Sequence, residues 1–162
     1  MWRLLIVLFS ISFSLSYSQS VSKLNYKQRE FEKKKVNTLL NEWHGLAAVG
    51  DTAYFDFFDE KSFYLGTDSK EVWSYQAFKD FALPHFRQGS SWSFKSKDRN
   101  VYLGDYGHYA WFDEILDTWM GLCRGTGVLE KKEGSWKLRH YSLSILVPNS
   151  KINQYLEIIK EE

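Results

Sequence analysis

The chain has 162 residues, 44% hydrophobic and 25% charged, which suits one domain with a buried core and excludes neither a pocket nor an interface. Its formal net charge of +1 falls to zero without residues 1–18, which carry Arg3 and no acid, so the basic footprint of a nucleic-acid-binding domain is excluded. A single cysteine, Cys123, excludes an intramolecular disulfide framework and is expected as a buried thiol.

The first element in chain order is an export signal. Arg3 supplies a positive start, residues 4–15 form an apolar stretch broken only by serines, and Ser16-Tyr17-Ser18 places small residues at the cleavage-recognition positions. The apolar stretch is shorter than the roughly 20 residues that span a bilayer. Cleavage after Ser18 and a periplasmic or extracellular mature protein are therefore expected, without membrane attachment after cleavage. Residues 19–25 form a loose lead-in, residues 26–149 the domain, and residues 150–162 a helical tail.

Within residues 27–49, Phe31, Val36, Leu39, Leu40, Trp43, Leu46 and Ala47 recur at helical spacing, and Gly50 ends the helix. The run Lys33-Lys34-Lys35, beside Glu30 and Glu32, reads as a solvated helical face. A short aromatic helix over 52–58 and a strand over 62–66 follow. The string Asp68-Ser69-Lys70-Glu71 has capping-box spacing and predicts a helical turn. A further helix starts at Ser74 and is kinked or ended by Pro84. After Gly89 the period changes to two, predicting strands over 92–94, 101–103, 108–116, 122–129 and 136–147. Turns are expected at 97–100, 104–107, 117–121 and 132–135. Helices followed by an antiparallel meander make an α+β pattern with the helices on one sheet face.

Several strings in this order resemble the SnoaL-like branch of the nuclear transport factor 2-like superfamily. They are Glu42-Trp43-His44, Gly66-Thr67-Asp68 with Glu71 and Trp73, and Ala110-Trp111-Phe112-Asp113-Glu114. Arg124-Gly125-Thr126-Gly127-Val128-Leu129, Trp136-Lys137-Leu138, and Tyr141 through Pro148-Asn149 complete them, so the likeness covers residues 36–149. The resemblance implies a cone-shaped fold, with a curved antiparallel-rich sheet wrapped around N-terminal helices, and dimerisation through the outer sheet face. The superfamily holds ketosteroid isomerase, scytalone dehydratase, limonene epoxide hydrolase and polyketide cyclases beside members without established activity, so fold alone does not give function.

If both sheet hairpins are symmetric, one centred on Trp119 sets Glu114 opposite Arg124 and Asp113 opposite Gly125. One centred between Glu133 and Gly134 sets Gly127 opposite His140. Alternation then puts Trp111, Asp113, Gly125, Gly127 and His140 on one face. That face reads as a pocket floor, with Asp113 and His140 as an acid–base pair, or as a hydrogen-bonded core pair. Glu114 and Arg124 read as a cross-strand ion pair, or Arg124 as a clamp for an anion inside the cone. Asp68 and Glu71 either close a capping box or meet a polar ligand group near Trp73. His44 and His85 are rim residues on helices that also reach a cavity.

The four histidines lack metal-ligand spacing, and no phosphate loop, dinucleotide fingerprint or serine-nucleophile motif is present, so no metal and no cofactor are expected. The 18% aromatic content supplies a cavity wall of Trp43, Tyr54, Trp73, Trp92 and Trp111. Three functions remain open: a binder of a small, largely apolar ligand that also forms a homodimer through the sheet, a cofactor-free isomerase, dehydratase or cyclase, and a pocketless dimeric interaction module.

Overall fold

A computed structural model describes residues 22–89 and 92–160. The expected export signal, residues 1–18, lies outside the described residues. Helix α1 (Tyr26–Val49) opens on a reciprocal cap: Asn25 Oδ1 accepts from the Gln28 backbone at 3.0 Å, and Gln28 Oε1 accepts from the Asn25 backbone at 2.9 Å. It ends at Gly50 in the left-handed conformation. Its buried stripe of Glu32, Val36, Leu40, Trp43, His44 and Ala47 faces the sheet. A 3-10 helix (Thr52–Phe57) then buries Tyr54 and Phe55.

Strands β1 (Phe58–Leu65) and β2 (Val72–Ser74) form a hairpin, followed by helix α2 (Tyr75–Arg87), which carries Pro84 inside it. The Asp68–Glu71 string closes the β1–β2 loop: Glu71 Oε2 accepts from the Asp68 backbone at 3.2 Å, and Asp68 Oδ1 from the Lys70 backbone at 2.8 Å. Both carboxylates cap backbone donors as the capping reading expects, but the chain leaves the turn as a strand rather than a helix. Strands β3 (Lys95–Leu103), β4 (Tyr109–Thr118), β5 (Gly121–Lys132) and β6 (Ser135–Ile145) complete a sheet of order β2-β1-β6-β5-β4-β3. It is antiparallel except where β1 runs parallel to β6. A 3-10 turn (Asn149–Lys151) leads into the exposed tail helix α3 (Ile152–Ile159).

The strand expected over 101–103 is the end of a longer one, β3, which begins at Lys95 and runs through the turn expected at 97–100, whereas residues 92–94, expected as a strand, precede β3 and form none. The string Lys97-Asp98-Arg99-Asn100 is made of turn-forming residues, but β3 is an edge strand, where charged side chains are well tolerated. Pairing with β4 holds the string extended, with a single irregularity between Ser96 and Asp98.

Register is the second difference. Glu114 pairs with Gly125, Phe112 with Gly127 and Asp113 with Thr126, one residue away from the symmetric expectation. The β4–β5 turn closes between Trp119 and Met120, with Thr118 opposite Gly121, rather than on Trp119. The β5–β6 turn falls at Glu133-Gly134 as expected, and both residues take positive φ. A bulge between Val128 and Leu129 then makes Arg139 an extra residue, so Gly127 faces Tyr141 instead of His140. Since side chains alternate, each one-residue change reverses a face. The inner face carries Phe112, Glu114, Leu116, Gly125, Gly127, Leu129, Leu138, Tyr141 and Leu143, all buried.

The two inner glycines make room for the packing above them. A Cβ on Gly127 would stand 2.5 Å from a Phe112 ring carbon and 2.8 Å from the His140 carbonyl oxygen, and the latter is backbone that cannot swing aside. Gly127→Ala is therefore expected to cost about 1–3 kcal/mol of stability, the range for overpacking a core. Urea denaturation checks this, and a loss below about 0.5 kcal/mol, the size of an ordinary surface effect, contradicts it.

Candidate functional site

Three ionisable side chains from three elements meet beneath α1. Glu114 points inward from the middle of β4, and its side chain is fully buried. Its Oε1 lies 2.8 Å from His44 Nε2 on α1, and its Oε2 accepts from Arg99 Nε on β3 at 2.8 Å. Arg99 Nη2 also stands 2.8 Å from Oε2 but makes no aligned hydrogen bond, so that contact is electrostatic. Arg99 Nη1 donates to Asn41 Oδ1 at 2.7 Å and to the Asn37 carbonyl at 3.3 Å, tying the strand to α1. His44 and Arg99 side chains are each 6% exposed.

Gly125, opposite Glu114, leaves the space that the carboxylate occupies: a Cβ there would stand 3.0 Å from Oε1 and 2.5 Å from the Tyr141 hydroxyl. Of the two His44 ring nitrogens, it is Nε2 that meets the carboxylate. Nδ1 is left buried without a partner, as are the Trp43 indole N–H and the Tyr54 and Tyr141 hydroxyls. Burial pushes the Tyr54 and Tyr141 phenols well above their usual range, with the Glu114 charge adding to the effect at Tyr141. A groove of about 350 Å³ between α1 and the start of β3 is lined by Asn41, His44, Ala48, Ser93, Phe94 and Arg99.

A second cavity of about 220 Å³ adjoins this groove across Phe94, walled by Tyr64, Trp73, Phe78, Phe81, Trp92 and Phe94. Trp73 stacks on Phe81 at 5.1 Å, and Tyr64 on Phe78 at 4.0 Å. Glu71 reaches this cavity, while Asp68 and Glu71 together edge a larger depression of about 410 Å³ beside Ser142 and Tyr155.

Apart from His44, in the Glu114 cluster, and Asp68, in the β1–β2 loop, the sequence-predicted residues fall into three groups. Trp73, Trp92 and Glu71 line the aromatic cavity, and His85 lies exposed on α2, edge-on to Phe81 at 5.3 Å. Trp43 and Tyr54 are packed in the core, stacked on each other at 5.2 Å, rather than forming a cavity wall. Trp111, Asp113, His140 and Arg124 sit on the outer face, because the register differs by one residue. Asp113 and His140 border a shallow outer depression but do not bond to each other, and Asp113 instead accepts from Asn100 Nδ2 at 3.1 Å. Neither forms a pocket floor inside the cone. Arg124 is exposed opposite Ile115 and Ser144, and the cation answering Glu114 is Arg99.

Arg99 is the residue that sequence reasoning missed. Counting back by twos from the inward Leu103 and Val101 reaches Arg99 on the same face, a signal hidden by reading 97–100 as a turn. Among the described residues no group of three His, Cys, Asp or Glu side chains is placed to hold a metal ion.

Residues 36–148 match the protein family described as the SnoaL-like domain. No curated protein matches the chain. Among solved structures, a nuclear transport factor 2-like protein of unknown function from Pseudomonas putida KT2440 is similar, with a TM-score of 0.63 at 11% identity, covering 75% of this chain and 92% of that one. A protein from Streptomyces avermitilis described as a candidate dehydratase of the nuclear transport factor 2-like family also has a TM-score of 0.63, at 14% identity, covering 74% of this chain and 99% of that one. The association domain of C. elegans CaMKII has a TM-score of 0.58 at 14% identity, covering 72% and 98%. At these identities the likeness is one of fold.

Removing one partner from a buried ion pair leaves the other charged and desolvated. Arg99→Met is expected to lose about 3–5 kcal/mol, and adding Glu114→Leu to recover most of that loss. Denaturation of the single and double variants checks this. A double variant no more stable than Arg99→Met would show that the two side chains act independently.

Proposed function

The chain belongs to the SnoaL-like domain family, and on that premise we propose that it is an exported, homodimeric binder of a small, largely apolar ligand. The reading rests on the aromatic cavity. Flat rings on several sides favour apolar groups, and about 220 Å³ is below the roughly 300–1,000 Å³ of drug-sized pockets, so the ligand is about one ring system in size. Glu71 offers a carboxylate handle beside Thr67, and it already accepts a backbone hydrogen bond within its loop. No second acid or base stands beside it on the cavity wall, which favours binding over an isomerase- or dehydratase-type reaction in that cavity.

Association through the sheet is supported by its outer face. An unbroken cross-strand row, Phe63–His140–Val128–Trp111–Tyr102, crosses five strands. Phe63 is 49% exposed, Trp111 46% and Tyr102 43%. An outer face of an antiparallel sheet normally carries polar residues, and an apolar row across it suits a second copy. The similarity to an association domain is in keeping with this. Export follows from the amino-terminal segment.

Two variants separate cavity from interface in one crossed experiment, with sedimentation reporting mass and fluorescence of the uncharged apolar dye 2-methoxynaphthalene, a single ring system, reporting binding. The wild type is expected to sediment as a dimer and to bind the dye. Phe81→Glu, at the cavity wall, is expected to weaken dye binding about tenfold with the mass unchanged. Trp111→Glu is expected to yield a monomer with the dye affinity unchanged. A wild-type monomer contradicts the dimer, and full dye affinity in Phe81→Glu contradicts the cavity.

A further inference from the structure

The β4–β5 turn borders one side of the aromatic cavity, and Trp119 is at its tip. Thr118 pins the turn: its Oγ1 donates to the Gly121 carbonyl at 2.9 Å and accepts from the Met120 backbone at 3.0 Å. Gly121 supplies the positive φ that the reversal needs, so the turn itself makes no demand on the side chains of Trp119 and Met120. A solvated tip ordinarily carries polar residues, yet these two are apolar and both line the cavity. Strand order sets them across from Trp73. Tyr64 on β1 and Leu143 on β6 lie between β2 on one side and the β4–β5 turn on the other. Trp73 and Trp92 have ring partners at 5.1 and 5.0 Å, in Phe81 and Phe86. Trp119 has none among the described residues and is 83% exposed, so its ring stands uncovered at the mouth.

We propose that Trp119 is a ligand-contacting residue that completes the cavity wall at its mouth and selects a flat aromatic ring over a saturated ring of the same size. The inference rests on the cavity being a binding site, and it adds the ligand class and the residue that recognises it. An aromatic face against an aromatic ring gains more than burial of the same area, whereas a saturated ring gains burial alone. The Met120 thioether, partly buried next to Trp119, adds a polarisable contact that again favours a π-system. Trp73 and Phe81 are already stacked on each other, so the ring left to cover a bound ligand is the unpartnered one on the turn.

The test compares 2-methoxynaphthalene with its saturated counterpart, 2-methoxydecahydronaphthalene, the second read by displacement of the first. The ratio of the two affinities, flat over saturated, is expected to fall about fivefold in Trp119→Leu, which keeps an apolar side chain without a ring. In Trp119→Phe, which keeps a ring, most of the ratio is expected to survive. In wild type labelled with nitrogen-15, the indole N–H resonance that is missing from Trp119→Phe is expected to shift when the flat probe is added. In Phe81→Glu it is expected to stay in place. An undiminished ratio in Trp119→Leu, or an indole resonance that the bound probe does not move, overturns the inference while the cavity stands, provided Phe81→Glu still weakens dye binding. Full dye affinity in Phe81→Glu, or no binding by the wild type, overturns the cavity reading and this inference with it.

Discussion

A carboxylate set into the middle of an apolar sheet face has to be answered where it sits, and Glu114 is answered by Arg99 on one oxygen and His44 on the other. Removing such a group from water costs several kcal/mol, so the fold is held to arrangements that bring both partners within reach. Those partners belong to α1 and β3, and Arg99 extends the connection to Asn41 and the Asn37 carbonyl. The same demand explains Gly125, since a side chain opposite Glu114 would fill the space of the carboxylate and of the Tyr141 hydroxyl. One buried charge thus fixes how α1 sits on the sheet, and it leaves His44 with a single free nitrogen.

The second organising feature is the bulge at Arg139. By adding one residue to β6 it keeps Trp136 and Leu138 inward before it and Tyr141 and Leu143 inward after it. The extra residue is used at the sheet face. Arg139 pairs with Glu130 at 2.9 Å and with Asp59, which Lys132 also meets at 2.6 Å. Burial alone would raise the Asp59 carboxyl, but the Lys132 hydrogen bond and the Arg139 charge outweigh it and hold the group below the usual carboxylate range. The bulge also leaves His140 outward in the aromatic row that crosses the outer face. Sorting of faces by register therefore determines both the closed interior and the apolar exterior.

Much of this was legible in the sequence. The helix start at Ser74, the glycine stop at Gly50 and the change from helical to alternating periodicity after Gly89 give an α+β order that the structure follows. The motif strings pointed to the SnoaL-like fold. The site was less legible, because it depends on register. Periodicity gives the existence of a strand but not its partner's offset, and a hairpin centred on Trp119 differs from one closing after it by a single residue that exchanges Asp113 for Glu114. The bulge beside Leu129 carries no local signature, since Arg139 is extra only because Asp59 and Glu130 are there to receive it. Arg99 was hidden for a related reason: its neighbours favour turns, and it is pairing with β4, where Arg99 stands opposite Glu114, that keeps the segment extended.

Register is also where the account is most directly tested. In antiparallel strands the α-protons of directly opposed residues approach closely at alternate pairs, giving strong nuclear Overhauser contacts. The account predicts such contacts at Phe112–Gly127 and Glu114–Gly125, or else at Trp111–Val128 and Asp113–Thr126. Contacts at Trp111–Gly127 and Asp113–Gly125 would turn Asp113 inward and Glu114 out to solvent, contradicting the buried cluster and everything derived from it.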